Sequence, residues 1–101
     1  MINELSHAIR ETRVITFRAK TDPTDRIAEP HILYETRNGN VLLDFYQTGG
    51  YSSSGSLPAW RCLLVDDIQA LQILDDSFQI RLKEGYNPTN KRRYHRIICK
   101  L

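Results

Sequence analysis

The Asn38-Gly39 pair is the sequence feature that most constrains how this chain can fold. It separates two runs of strand-forming residues, 26–34 and 41–46. Asn and Gly both tolerate the positive φ angles of a tight turn, so the pair favours an antiparallel hairpin between such runs. The sequence therefore predicts two antiparallel neighbouring strands in the first half of the chain.

Three further runs, 14–19, 60–65 and 68–74, are rich in β-branched, aromatic and leucine side chains. Turn-forming residues separate them, with Asp66 and Asp67 between the last two. Five short strands at this spacing are typical of a small β-barrel. We therefore expect a mainly β fold, with one more strand possible in the apolar run 94–99.

Two local features modify this pattern. Pro30 has no N–H to donate to a strand ladder, which predicts an edge or bulged strand around it. Residues 48–58 are rich in Gly and Ser and predict a mobile surface loop.

The N-terminus predicts a helix, because Ile2, Leu5 and Ile9 lie at helical spacing. We expect this short amphipathic helix to end near Thr12 and to cap one end of the barrel.

Length and composition favour one folded domain. The chain has 101 residues, of which 41% are hydrophobic and 26% charged, as in ordinary globular proteins. It has no apolar stretch of the roughly 20 residues that a membrane span needs, and its start has no apolar core of a secretory signal. We therefore expect a cytoplasmic protein with no membrane partner.

Charge divides the chain into two parts. Residues 1–80 carry seven Lys or Arg and eleven Asp or Glu, whereas residues 81–101 carry seven and one. We therefore predict a barrel domain over 1–80 and a basic C-terminal extension over 81–101 that packs on it or flanks it. Such an extension can bind a polyanion, remain solvated, or dock on the acidic surface of its own domain.

Catalytic and metal chemistry find no support in the sequence. Cys62 and Cys99 each lie in an apolar run, which favours reduced, buried thiols. The histidines show no metal-ligand spacing, and no nucleophile is paired with a base. We expect neither a metal nor a cofactor, and no enzyme activity.

Three segments resemble landmarks of the WYL domain family. The opening LSHAIRETRVITFRA is similar to the helix and first strand of the family, and RIAEPHIL is similar to its Arg-x-x-x-Pro-x-x-Leu strand. WRCLLVDDI resembles its Arg-x-Phe-x-Leu-Asp-x-Ile strand and turn, with Leu63 in place of the aromatic. At the Trp-Tyr-Leu position that names the family, this chain has Val41, Leu42 and Leu43.

The resemblance covers about residues 5–78 and implies an Sm-like, SH3-like β-barrel. In that family the barrel commonly belongs to bacterial transcriptional regulators or phage-defence proteins and is thought to sense nucleotides or nucleic acid. This chain shows no helix-turn-helix. The resemblance therefore implies a free-standing sensor, or a fragment of a larger regulator, that signals through a partner carrying a DNA-binding domain.

Candidate ligand-binding residues follow from chemistry and from the resemblance. Arg61 and Arg26 can each bind a phosphate or carboxylate through a planar fork of donors, unless an acid such as Asp66 or Glu29 already pairs with them. His31 can donate to an anion, and Tyr46, with Tyr51 and Trp60, can stack on a base. Alternation along a strand places Trp60 and Arg61 on opposite faces. The candidates for polyanion binding are Lys91, Arg92, Arg93 and Arg96.

The function that we expect is a ligand-sensing domain that binds a nucleotide or a short single-stranded nucleic acid. The alternative is a protein-interaction module, or a homo-oligomer, that associates through an edge strand and has no small ligand.

Overall fold

The computed structural model describes all 101 residues and contains one helix and six strands. A short 3₁₀ turn, Val65–Asp67, joins the fourth and fifth strands, where the sequence predicts a turn. The elements are α1 (Ile2–Arg10), β1 (Arg13–Ala19), β2 (Arg26–Glu35), β3 (Val41–Gly50), β4 (Ala59–Leu64), β5 (Ile68–Ser77) and β6 (Arg96–Lys100).

All six strands belong to one antiparallel sheet. Its order is β4-β3-β2-β1-β5, and β6 pairs with β2. The hairpin predicted from Asn38-Gly39 is confirmed, since Glu35 pairs with Val41 and Gly39 has a φ of +85°. The sheet ends at β4 and β5, which do not pair with each other, so it is not closed.

Pro30 lies where β2 exchanges one neighbour for another. One side of β2 pairs with β3 along the strand, whereas the other side pairs with β1 at 26–28 and with β6 at 32–35. The register against β3 shifts between Pro30 and Ile32, so the predicted bulge is confirmed. β2 is nevertheless an inner strand. Pro30, which has no N–H, lies between the stretch of β2 that pairs with β1 and the stretch that pairs with β6.

The main core lies between α1 and one face of the sheet. Leu5 and Ile9 of the helix are fully buried in the same cluster as Phe17, Leu43 and Phe45 of the strands. Strand alternation directs Asp44 and Tyr46 away from this core and onto the other face of β3. The sheet thus presents a second face that another part of the chain must cover.

The segment 78–95, between β5 and β6, lies against that second face. The buried ring of Tyr86 packs in a small second core with Ile32 and Tyr34. The Tyr86 hydroxyl donates to the carbonyl of Leu101 over 3.1 Å. The basic C-terminal part of the chain therefore packs on the same sheet as the rest.

Two expectations from the sequence are wrong in detail. The strand β3 continues to Gly50, so the serine-rich loop begins at residue 51 rather than at 48. Cys62 is exposed rather than buried, because β4 is at the edge of the sheet and the Cys62 thiol is on the second face.

The nine-residue α1 is the only α-helix, and it is too short and too polar to cross a bilayer.

Candidate functional site

A groove of about 300 Å³ lies between the edge strand β4 and the segment 85–94. The two walls come from distant parts of the sequence, and the groove exists only because the C-terminal segment packs on the second face. Its lining residues are Asp44, Trp60, Arg61, Cys62, Gly85, Tyr86, Asn87, Arg93 and Tyr94.

Three aromatic rings give the groove much of its apolar surface. Trp60 and Tyr86 lie nearly parallel, with ring centroids 6.0 Å apart. The indole Nε1 of Trp60 donates to the carbonyl of Glu84 over 2.7 Å, which fixes the ring. Tyr94 meets Tyr34 edge to face at 4.6 Å. Trp60 and Tyr94 are only partly buried, so these rings offer stacking surface to a planar ligand.

Asp44 is a buried carboxylate at the base of the groove. It accepts hydrogen bonds from the hydroxyl of Tyr34 at 2.7 Å and that of Tyr94 at 2.9 Å. The guanidinium of Arg93 donates to both of its oxygens. Burial raises the pKa of Tyr34, with further contributions from its contacts with Cys62 and Asp44. Burial and then the charge of Asp44 raise the pKa of Tyr94 to about 12, and the hydrogen bond to Asp44 raises the pKa of Arg93. The two tyrosine hydroxyls therefore keep their protons and Arg93 keeps its charge near neutral pH, and their bonds to Asp44 orient the three side chains.

Arg61 borders the groove and, unlike Arg26, Arg93 and Arg96, has no acidic partner. Its guanidinium donates to the hydroxyl of Ser54 at 2.7 Å and more weakly to that of Ser52, and to the carbonyls of Trp60 and Ser56. No carboxylate lies within 4.0 Å of it, so neither acid considered from the sequence pairs with it. Its positive charge is available to a ligand.

The register of the sheet separates Arg61 from the rings. Arg61 pairs with Phe45 and Trp60 pairs with Tyr46, so their side chains project from opposite faces, as alternation predicts. Because β4 is an edge strand, a ligand seated on Trp60 can reach Arg61 only around this edge.

Arg26 is occupied by an internal partner. Its guanidinium forms a two-point ion pair with Asp22, at 2.7 and 3.1 Å, and its side chain is only 14% exposed. The bond from Arg26 is the main cause of the lowered pKa of Asp22. In this structure Arg26 fixes the loop between β1 and β2 and does not lie in the groove.

His31 is fully buried and both of its ring nitrogens have partners within the chain. Nδ1 lies 2.9 Å from the carbonyl of Glu29, and Nε2 accepts from the backbone N–H of Arg81 at 3.1 Å. The rings of Trp60, Phe78 and Tyr86 surround it, with centroids within 5.3 Å. Burial lowers the pKa of His31, which is therefore a neutral core residue that packs behind Trp60 and Tyr86 and does not itself line the groove.

Tyr46 is also buried. Its ring lies between Trp60, at 5.2 Å, and the guanidinium of Arg81, at 4.9 Å. It supports Trp60 from behind and does not line the groove.

The four basic candidates of the C-terminal segment divide into two pairs. Arg93 binds Asp44 and Arg96 binds Glu35, both through ion pairs within the chain. Lys91 and Arg92 are exposed and have no carboxylate within 4.0 Å. Arg81, which the sequence did not single out, binds the buried Glu29 through two hydrogen bonds of 2.7 and 2.9 Å.

The sequence left three interpretations open for the basic segment, one of which was docking on the acidic surface of its own domain. Arg81, Arg93 and Arg96 dock in this way, because each forms an ion pair with an acid of the sheet. Sequence reasoning missed Asp44, Tyr86 and Asn87 as groove residues. Asp44 carried a usable signal, since a lone acid between the apolar Leu43 and Phe45 needs a buried cation or donor.

No three His, Cys, Asp or Glu side chains lie close enough together to bind one metal ion. Comparison of the chain with protein-family models, with curated proteins and with solved structures finds no match. The residues of the groove offer aromatic surface, an amide and nearby cations without acidic partners.

Proposed function

We propose that this chain is a non-enzymatic ligand-sensing domain that binds an anionic ligand, a nucleotide or a short single-stranded nucleic acid, at the groove between β4 and residues 85–94. The observation that carries the proposal is the guanidinium of Arg61, which has no acidic partner, at the edge of a groove lined by the partly buried rings of Trp60 and Tyr94.

The physical argument combines two interactions. Base stacking on aromatic side chains contributes about 1–3 kcal/mol per base and is tolerant of sequence. An arginine without a carboxylate partner can bind phosphate through parallel N–H···O bonds, at no cost of breaking an ion pair. Lys91 and Arg92 add positive charge next to the Arg93 and Tyr94 wall of the groove.

The same proposal includes a relationship to the WYL domain family and a small Sm-like barrel. The order of a short helix followed by antiparallel strands supports it, whereas Val41 and Leu42 depart from the family pattern. We propose a role in cytoplasmic transcriptional or defence regulation, with the signal passed to a partner that binds DNA.

Titration tests the proposal directly, because Trp60 is the only tryptophan and lies in the groove. We expect nucleoside monophosphates or a short deoxythymidine oligonucleotide to change its fluorescence in a saturable way. Arg61→Ala should weaken binding about tenfold, as expected for loss of a charged hydrogen bond. Arg37→Ala is the matched control, since Arg37 lies in the hairpin turn and has no ion pair. Unchanged affinity in Arg61→Ala would remove Arg61 as the anchor.

A second candidate function is self-association through an edge strand. The ten-residue β5 pairs only with β1, which leaves its outer edge free, and β4 has a free edge as well. Free edges can pair with another chain. Sedimentation that shows a dimer insensitive to salt, together with no change of Trp60 fluorescence on titration, would favour this alternative.

A further inference from the structure

The loop 51–58 presents two serine hydroxyls to the one candidate arginine that borders the groove and lacks an acidic partner. The Oγ atoms of Ser52 and Ser54 lie 3.2 Å apart, and Nη2 of Arg61 donates to both, at 3.4 and 2.7 Å. We refer to Arg61, Ser52 and Ser54 as the Arg61 cradle. Its three side chains are partly or fully exposed, so a ligand can reach them.

The cradle has spare hydrogen-bond donors. Nε of Arg61 makes no hydrogen bond, and Nη1 makes only a long one of 3.3 Å to the carbonyl of Trp60. Both serine hydroxyls accept from Arg61, and one of them donates its O–H to the other across 3.2 Å. The other O–H is free to turn toward an incoming anion, and the first can follow by exchanging the Ser52–Ser54 bond for a bond to the anion. An oxyanion can therefore bind here without displacing the internal bonds that position the arginine.

The base of the loop is fixed, which holds the hydroxyls near Arg61. The buried side chain of Gln47 donates to the carbonyls of Gly49 and Tyr51, at 3.1 and 2.6 Å. The N–H of Tyr51 donates to the carbonyl of Asp25 at 3.0 Å. Part of the entropy cost of ordering the cradle is thus already met in the ligand-free fold.

We infer that the Arg61 cradle binds a terminal phosphate monoester rather than an internal phosphodiester. A phosphate monoester has three free oxygens and a charge of about −1.5 to −2 near pH 7, which match a guanidinium flanked by two hydroxyl donors. A phosphodiester has two free oxygens and a single charge. No carboxylate lies within 4.0 Å of the guanidinium to repel the second charge.

This inference rests on the proposed function, because it names the group of the ligand that Arg61 binds. The ligand is then either a free nucleotide or the phosphorylated end of a short strand. Its base would lie on the rings of the groove and its phosphate would reach the cradle around the edge of β4. The two sources share the same phosphate chemistry and are separated by experiment.

Calorimetric titration of the full chain with adenosine, adenosine 5′-monophosphate and 3′,5′-cyclic adenosine monophosphate tests the inference. We expect the monophosphate to bind at least about tenfold more tightly than the other two. The double variant S52A/S54A should reduce this preference, and Arg61→Lys, which keeps the charge but lacks the planar fork, should reduce it further. Arg37→Ala should retain it in full.

A parallel titration compares a short deoxythymidine strand with and without a 5′-phosphate. A preference confined to the mononucleotide assigns the cradle to free nucleotides, and a preference also shown by the phosphorylated strand assigns it to strand ends. Equal affinity for adenosine and its monophosphate, unaffected by S52A/S54A or Arg61→Lys, would overturn the inference and leave nucleotide binding intact. Absence of binding by every probe would overturn the proposed function as well.

Discussion

At the scale of single residues, Asp44 organises the wall of the groove. Its carboxylate is 10% exposed and is bound by Tyr34, Tyr94 and Arg93 at the same time. Burial of a charge is tolerated only where partners of this kind surround it. The orientation of Arg93 and Tyr94 in the groove therefore depends on one acidic side chain.

Replacement of Asp44 should destabilise the fold strongly. Asp44→Ala leaves the hydroxyl of Tyr34 with only the weak sulfur acceptor of Cys62, 3.5 Å away, and leaves Arg93 without its partner. We expect this to lower the free energy of unfolding by about 3 kcal/mol. Urea denaturation measures the change. Asp76→Ala is the control, because Asp76 is exposed and unpaired, and should shift the free energy by less than about 0.5 kcal/mol. Equal effects of the two substitutions would show that the Asp44 network contributes little.

His31 makes stability depend on pH in a defined direction. Its folded-state pKa is lowered by burial, below an unfolded-state value of about 6.5. Its contribution is fully present above that value. As pH falls below it, the unfolded chain binds a proton that the folded chain does not, so stability falls by up to about 1.4 kcal/mol per pH unit until the folded-state pKa is reached.

Urea denaturation at about pH 7.5 and about pH 5.5 measures this loss. His31→Gln should be less stable at both values but should lose less between them. The exposed His95 provides the control, since His95→Gln should keep the wild-type dependence. A dependence that is the same in all three proteins would assign it to other groups.

The arginines show where reasoning from the sequence ends at this scale. The chemistry of Arg26 and Arg61 is the same, and the sequence predicts both as anion-binding residues. Asp22, four residues before Arg26, captures the first, whereas only hydroxyl and carbonyl groups approach the second. The Asp22–Arg26 pair is local, so the sequence could have indicated it. That no acid reaches Arg61 depends on which loop packs against it in the folded chain, and the sequence does not show this.

At the scale of elements, the end of β3 depends on a glycine. Gly50 has a φ of +79°, and a Cβ there would lie 2.3 Å from the carbonyl oxygen of Asp25. Gly39 has a similar φ of +85°, but a Cβ there would meet nothing within 4 Å. The two positions share a backbone conformation that is unfavourable for any residue with a Cβ, and they differ in the space available for that atom.

Replacing each glycine with alanine separates the cost of the backbone conformation from the cost of steric overlap. Gly39→Ala should lower the free energy of unfolding by about 1–2 kcal/mol, the cost of a left-handed conformation for an L-residue. Gly50→Ala should cost about 1–3 kcal/mol more, the range found for overpacking, because the backbone of residues 25 and 26 must move. Thermal unfolding of both variants measures the difference. Equal losses would mean that β3 and the 20–25 loop separate freely.

The elements themselves were largely predictable. Alternating apolar residues and the Asn38-Gly39 turn determine the strands locally, so the predicted strands and the helix are all present within a few residues. The partners of β2 were not predictable, because pairing with β6 joins residues more than 60 positions apart. The run 94–99 was uncertain for the same reason, since a strand of five residues is stable only beside a partner.

At the scale of the whole molecule, the basic segment 81–101 is less available than its composition indicates. Arg81, Arg93 and Arg96 are engaged by acids of β2 and β3. The positive charge near the groove that remains for a ligand is that of Arg61, Lys91 and Arg92. Net charge is thus a poor guide to binding when a chain neutralises its own segments.

The salt dependence of oligonucleotide binding measures this difference. Each phosphate neutralised on a single strand contributes about −0.7 to the slope of log K against log salt concentration. Three available cations predict a slope of about −2, whereas Arg61 together with all seven basic residues of the segment would give about −6. Removal of Lys91 and Arg92 together should bring the slope to about −0.7. A steep slope in the wild type would mean that the segment detaches to bind.

The sequence by itself determined the β class, the central hairpin, the bulge at Pro30 and the alternation that separates Trp60 from Arg61. These features depend on backbone conformation and on period-two patterning within a few neighbouring residues. The tertiary structure alone decided that His31 and Tyr46 are buried, that Asp44 anchors the C-terminal segment and that Arg61 is free. The first two outcomes depend on which distant side chains meet when the segment 78–95 covers the second face of the sheet, and the third depends on how the loop 51–58 packs against Arg61. A local sequence pattern does not contain these distances.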